Sequence, residues 1–258
     1  MNHGFVKLVD SMPRENLDAA IVEAARVSYA SGTTATRSER GLIRYLMRHW
    51  HNTPFEMVEF KFHIKMPIFL ARQHMRHRTA SINEMSARYS LVPEDYLSFG
   101  EWRKQSDVNK QGSEGQCVID RTLQNEISEN TQHSFRLYNY LLTEGVCREQ
   151  ARCHLPQSTY TEFFWKINLH NLMHYLRLRM EKGAQKEIRE YANEIYKLIQ
   201  PLCPLTMEAF KDFRLDGVHL SRLEIEAIKN GAKKLENNPG ENREFVEKLD
   251  LLGLNPSC

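Results

Sequence analysis

The chain is poor in the features that mark secreted, metal-built or membrane-spanning proteins. Its five cysteines, Cys117, Cys147, Cys153, Cys203 and Cys258, are odd in number and contain no C-x-x-C pair, which argues against a disulfide framework and against a zinc knuckle. Reduced thiols are expected. No apolar run approaches the roughly 20 residues needed to span a bilayer, and Met1-Asn2-His3-Gly4-Phe5-Val6-Lys7 carries no signal-peptide pattern, so no membrane contact and a cytoplasmic location are expected. Neither sign of charge dominates: 35 Lys and Arg against 33 Asp and Glu leave a net charge of +2, which gives no global footprint for nucleic acid. G-x-G-x-x-G, G-x-x-x-x-G-K-[ST] and H-E-x-x-H are all missing, so a Rossmann dinucleotide site, a P-loop and a zincin are unsupported. There is no internal repeat and no low-complexity tract.

What is present is an ordinary soluble composition, 41% hydrophobic and 26% charged over 258 residues, enough for one large domain or for a domain with an appendage. Leu17, Ile21, Ala24 and Val27 fall at helical spacing, Ser31-Gly32-Thr33-Thr34 reads as a turn, and Ser38 opens a second amphipathic run through Leu42, Tyr45, Leu46 and Trp50. Thr53-Pro54 reads as the end of that helix, because the residue before a proline is pushed out of the helical region. The clearest pattern follows: Val58, Phe60, Phe62, Ile64 and Met66 alternate with Glu59, Lys61, His63 and Lys65, a strand with one buried face. Pro67 stops it and suits the start of the next helix.

Residues 92–117 lose all periodicity and gain turn formers, as a surface excursion does. A helix is expected from Val118 to Leu142 on Ile119, Leu123, Ile127, Phe135, Tyr138 and Leu142, closed by Gly145, then a short helical piece at 148–152 ended by Pro156. Residues 158–167 read as a second strand, after which Asn168 caps a helix with the stripe Leu169, Leu172, Met173 and Leu176. Helix 184–200 buries Ile188, Ala192, Ile195 and Ile199 and is terminated by Pro201 and Pro204. The expected order is helix, helix, strand, helix, loop, helix, strand, helix, helix. That is α+β, a small mostly antiparallel sheet packed with several α-helices. Beyond about 216 a charged helical tail, broken at Asn237-Asn238-Pro239-Gly240, reads as an appendage, dividing the chain into 1–215 and 216–258.

The residues that carry chemistry gather at 72–89, where Arg72, Arg76, Arg78 and Arg88 stand with His74 and His77, followed by Asn83, Glu84 and Ser86. A planar guanidinium fork suits phosphate oxygens, so an anionic ligand is one reading and a solvated basic face the other. His74 and His77 are a poor cation site, since Arg76 and Arg78 would repel the ion, and no metal is expected. Ser86 lacks the G-x-S-x-G elbow of an exposed nucleophile and suits hydrogen bonding to a ligand. Cys153 follows Arg152, whose charge would lower a thiol pKa, so a cysteine nucleophile stays open.

The run Arg72-Gln73-x-x-Arg76-His77-Arg78-x-Ala80-Ser81-x-Asn83-Glu84-x-Ser86-x-Arg88-Tyr89 resembles the signature of flavin-dependent thymidylate synthases. His51-x-Thr53-Pro54-Phe55-Glu56, Ala25-Arg26-Val27-Ser28, and Leu178-Arg179 with Ala184-Gln185 extend the resemblance over roughly residues 5–212. It implies a homotetramer with active sites at subunit interfaces. FAD would be the cofactor, and dUMP would be methylated to dTMP with 5,10-methylenetetrahydrofolate as carbon donor and NADPH as reductant. By the same resemblance Ser28, Thr53, Arg76, His77, Arg78, Glu84, Asn168, His170 and His174 contact the flavin, with His51 beside flavin or folate. Gln73, Arg76, Glu84, Ser86, Ala87, Arg88, Arg152 and Arg179 meet dUMP, and Arg179 is the catalytic position at the pyrimidine. An arginine is a poor base at neutral pH, so electrostatic stabilisation of a developing pyrimidine anion is its expected role. Two other readings remain: a phosphate-tracking nucleic-acid module with Tyr89 or Phe99 stacking on bases, into whose track Glu84 places a carboxylate, and a pyrimidine methyltransferase dependent on Cys153.

Overall fold

A computed structural model describes residues 1–28, 38–107, 111–236 and 238–255. The expected turn at 31–34 and Cys258 lie outside the described residues, as does Asn237. The chain divides into two compact units, Met1–Phe210 and Lys211–Cys258.

In the first unit the order is β1 (Phe5–Met12), α1 (Leu17–Arg26), α2 (Glu39–Arg48), α3 (Thr53–Glu56), β2 (Glu59–Pro67), α4 (Ile68–His74), β3 (Ser81–Glu84), β4 (Trp102–Gln105), β5 (Ser113–Cys117), α5 (Arg121–Thr143), α6 (Arg148–Ala151), β6 (Tyr160–Asn168), α7 (Leu169–Met180), α8 (Lys186–Ile199) and α9 (Pro204–Phe210). One sheet has the order β1-β2-β6-β3, antiparallel at every pairing, and β4-β5 form a separate hairpin. The fold is therefore α+β, as the patterning predicts.

The alternating strand is the centre of the sheet. Phe60, Phe62 and Ile64 lie opposite Ile167, Trp165 and Phe163 and are buried with them, while the reverse face carries His63 opposite Phe164 and Lys65 opposite Glu162. Pairs of this kind on one buried face fix the register, since a slip of one residue would turn every aromatic ring to water. The two central strands each run directly into a helix, β2 into α4 and β6 into α7. Because the strands are antiparallel, the helices start from opposite ends of the sheet, and they meet where His74 of α4 touches Tyr175 of α7. This meeting point positions the site.

Several expectations are corrected. An N-terminal strand, β1, and a short one, β3, are added at the two sheet edges; an edge strand need bury only one or two side chains, and β1 fully buries only Val6. The arginine cluster runs from α4 through a turn into β3 and on into the turn after it. The 92–117 excursion holds the β4-β5 hairpin. Thr53-Pro54 opens the one-turn α3 instead of ending α2, and Pro204 likewise opens α9, because a first-turn proline loses no hydrogen bond. Val27 lies past the end of α1 and is exposed, and Trp50 lies past the end of α2. Helix α5 starts at Arg121 under the Asp120 cap; Phe135 and Tyr138 are buried, but Val118, Leu123 and Ile127 are exposed. Gly145 follows its end at φ 83, a left-handed position that glycine takes without strain.

The second unit begins with a π-helical turn, Lys211–Leu215, followed by α10 (Arg222–Lys229) and α11 (Pro239–Leu251). Ser221 and Glu224 form a capping box, and the Glu224 carboxylate also binds Lys248 of α11 at 2.8 Å. No helix among the described residues is long and apolar enough to cross a membrane.

Candidate active site

Helix α7 presents Tyr175 and Arg179 one turn apart, so both side chains fall on the face that meets α4 and the segment after it. Arg179 Nε donates to His77 Nε2 at 3.0 Å. An arginine can only donate, so His77 is neutral with its proton on Nδ1. Burial, the Arg179 guanidinium and then His174 hold its pKa down to about 4. The His77 ring lies edge-on to Tyr175 at 4.9 Å and to His174 at 5.9 Å. Beneath it His74 is fully buried among Phe163, Trp165 and Tyr175, with Nδ1 3.0 Å from the Tyr175 hydroxyl. Burial, then the neighbouring His77 and Arg179, lower its pKa to about 3, and burial also pushes the Tyr175 phenol upward.

The His74 and Tyr175 pair is a rigid neutral floor under a charged rim. It makes stability pH-dependent with a definite sign. The folded state binds the His74 proton only near pH 3, the unfolded chain near the ordinary 6.5, so stability is full above 6.5 and is lost as pH falls toward 3. Between pH 6.5 and 5 the His74 contribution falls by about 2 kcal/mol. His77, whose folded pKa is likewise depressed, adds a loss of the same sign; denaturant unfolding at the two pH values should show both, and His74→Phe, which cannot titrate, should roughly halve the slope, whereas an equal slope in the variant would remove His74 as a source.

The structure brings Arg179, His77 and His174 together. The other expected residues lie on separate segments. Arg76 and Arg78 are exposed on the turn after α4 and meet no acidic partner among the described residues. Gln73, in α4, has its Oε1 buried without a hydrogen-bond partner. Glu84 ends β3 and accepts from the Thr161 hydroxyl at 2.6 Å. In the turn 86–88, Ser86 Oγ accepts from the Arg88 amide at 3.3 Å, and the Arg88 guanidinium pairs with Glu149 of α6 at 3.1 Å. Arg152 is exposed at the end of α6, its Nε donating to the Glu149 carbonyl. Asn168 caps α7 by accepting from the Asn171 amide at 2.9 Å, and His170 is half-buried in the first turn of that helix. Cys153 is exposed and its thiol donates to the Glu149 carbonyl within its own turn.

Ser28, His51 and Thr53 are placed elsewhere, in a cleft of about 980 Å³ between the end of α1, α2 and α3. Tyr45, His49 and His51 gather there, Tyr45 lying 4.4 Å from His49 and 5.8 Å from His51. The described residues that line this cleft include no Asp, Glu, Lys or Arg. One group of expected residues is thus strongly cationic and the other neutral and aromatic.

Glu149, Thr161 and Tyr175 are the residues that reading the sequence passes over. Tyr175 had a signal, its spacing of four from Arg179 on a well-patterned helix. Glu149 and Thr161 had none, because the contacts they make span distant segments.

The family model described as Thymidylate synthase complementing protein matches residues 7–205. A flavin-dependent thymidylate synthase of Dictyostelium discoideum is 50% identical over 260 residues, covering 97% of this chain and 86% of its own length. One from Thermus thermophilus is 49% identical over 229 residues, covering 89% of this chain and 83% of its own. Among solved structures, the UMP/dUMP methylase PolB from Streptomyces cacaoi, bound with 5-Br dUMP, superposes with a TM-score of 0.74 at 35% identity, covering 82% of this chain and 96% of that one. With the arginine and histidine cluster in place and relatives of this extent, the chain belongs to the flavin-dependent thymidylate synthase family.

Proposed function

We propose that this chain methylates dUMP to dTMP with FAD as cofactor, 5,10-methylenetetrahydrofolate as carbon donor and NADPH as reductant. The observation that carries the reading is the Arg179 to His77 hydrogen bond, which ties a guanidinium on α7 to the centre of the Arg76-His77-Arg78 run. The residues fit the two anionic ligands. Arg76 and Arg78, exposed and without acidic partners among the described residues, suit the diphosphate of FAD, with Glu84, Asn168, His170 and His174 around it; Ser28, His51 and Thr53 offer its ring or the folate pterin a cleft lined, among the described residues, by no charged side chain other than histidine. Arg88 and Arg152, with Gln73, Arg76, Glu84, Ser86 and Ala87, take the phosphate and uracil of dUMP.

In this scheme Arg179 stabilises negative charge as it develops on the pyrimidine and keeps its own proton throughout. His77, neutral and accepting at Nε2, holds the guanidinium plane and leaves the Nη donors for the ligand. FAD held by these residues would supply the hydride chemistry of the reduction, while the protein supplies position and charge.

A homotetramer with shared sites belongs to the same proposal. Support comes from the exposed apolar residues Val118, Leu123 and Ile127 before and along α5, which a second copy would cover. Residues 1–215 would form the synthase domain and 216–258 a charged helical extension, the whole acting in the cytoplasm. The test is direct: the purified protein should be yellow and release tritium from 5-labelled dUMP only when NADPH and 5,10-methylenetetrahydrofolate are both added. Colourless protein without tritium release, even after FAD is supplied, overturns the reading.

A further inference from the structure

We propose that Glu149 is an internal competitor for the substrate's phosphate, a carboxylate that holds the Arg88 guanidinium until a phosphate displaces it. The proposal deepens the dUMP reading above and rests on its assignment of Arg88 and Arg152 to that ligand. Its starting point is α6, where two consecutive residues reach the turn after β3. Arg148 Nη1 donates to the Tyr89 carbonyl at 2.7 Å, and the Glu149 carboxylate pairs with Arg88 at 3.1 Å. The Glu149 carbonyl in turn accepts from Arg152 Nε at 3.4 Å. One residue thus touches both arginines.

The turn is held without the ion pair. The Tyr89 and Ser90 amides both donate to the Ser86 carbonyl at 3.1 Å, the Val92 amide donates to the Tyr138 hydroxyl at 3.1 Å, and Arg148 fixes the Tyr89 carbonyl. Breaking the Arg88 to Glu149 pair therefore frees a side chain and leaves the backbone of the segment in place. The pair adds little to stability either, because its side chains are 55% and 54% exposed, and water screens an ion pair that open. What the carboxylate does change is the charge that an incoming anion meets. It neutralises Arg88 and repels a phosphate dianion, so any phosphate taken up at Arg88 must first displace it. Arg76 and Arg78 meet no such carboxylate among the described residues. The threshold is specific to the Arg88 side. A small anion has only its charge with which to cross it, whereas a nucleotide adds the contacts of its base.

Glu149→Gln keeps an acceptor of the same shape for Arg88 and removes the charge; Glu149→Ala removes both. Three probes distinguish a competitor from a group that positions Arg88. On FAD-loaded protein, dUMP is titrated by calorimetry and inorganic phosphate by its competition with dUMP; FAD is titrated by its absorbance on protein stripped of flavin. In Glu149→Gln both dUMP and inorganic phosphate should bind about three- to tenfold more tightly, and by the same factor, because each displaces the same carboxylate. Glu149→Ala should also tighten both. FAD affinity should stay within about twofold, since its diphosphate is assigned to arginines on another segment. Unchanged or weakened binding of dUMP and phosphate in Glu149→Gln overturns the proposal and leaves Glu149 as a bystander or as a positioning group for Arg88. An equal gain for FAD also overturns it, since the effect would then be one of overall charge. A parent protein that binds no dUMP removes the dUMP reading and the proposal with it, a failure seen in the parent and so distinct from the other two.

Discussion

Arg179→Gln is expected to lower turnover of dUMP by about 10²–10³-fold, the usual loss when a preorganised donor to a developing anion is removed. The fall should appear in kcat as well as in kcat/KM, because a group that matters most once charge builds on the pyrimidine is worth less to the ground state. Glutamine keeps hydrogen-bonding capacity and removes the charge. Its second signature lies at His77. With the guanidinium gone, that imidazole loses one of the two stronger influences on it while keeping the first, burial, so its pKa should rise from about 4 yet stay below the ordinary 6.5. NMR titration of His77 would follow this directly. A variant that retains the parent kcat within threefold, with the His77 shift present, would leave Arg179 as an anchor for His77 and nothing more.

How much of this was legible in the chain depends on where each residue's partners lie. The central strands could be read because Phe60, Phe62 and Ile64 alternate with polar neighbours on a sheet with one dry face. Helices α7 and α8 could be read because their stripes face one core. Edge elements could not: β1 buries little beyond Val6, and β3 is four exposed residues whose only instruction to pair comes from β6. Helix α5 misleads for a different reason. Its apolar spacing is real, yet Val118, Leu123 and Ile127 meet water in the single chain, so periodicity there reports a surface instead of a core. Prolines at 54 and 204 were read as stops where they are starts, since one residue serves both purposes and only the following hydrogen bonds decide.

The site divides along the same line. The cluster of arginines announces itself by composition, and its spacing is specific enough to name a family. What holds those arginines is not local: His77 is tied to a residue 102 positions away, and Glu84 to one 77 positions away. Of the neutral floor only Tyr175 left a trace, in its spacing from Arg179; His74 left none, because a histidine between a glutamine and a methionine reads equally as ligand, surface or core. Trp50 was read as an apolar helix residue, since the left-handed turn that expels it from the core depends on a hydrogen bond between two backbone groups that every sequence possesses.

The two anchoring points of the basic residues set up the largest effect of all. Arg88 is held by Glu149 on the α6 side, whereas Arg179 is held by His77 on the α7 side, so neither arginine positions the other within the chain. If each site of the proposed tetramer takes Arg88 from one chain and Arg179 from another, then Arg88→Ala and Arg179→Ala homotetramers should both be nearly inactive. Losing a charged contact to a buried anion costs about 2–5 kcal/mol, or up to several thousandfold in rate. Mixed tetramers, prepared by partial unfolding and reassembly and verified by mass, would behave differently. Some of their interfaces join an unaltered Arg88 to an unaltered Arg179, so activity should return to a sizeable fraction of the parent, a rise of hundreds-fold over either variant alone. The fraction recovered should follow the mixing ratio and peak at equal amounts. If mixed tetramers stay as inactive as the two variants, both arginines serve the same chain's ligand, and the site is closed within one subunit.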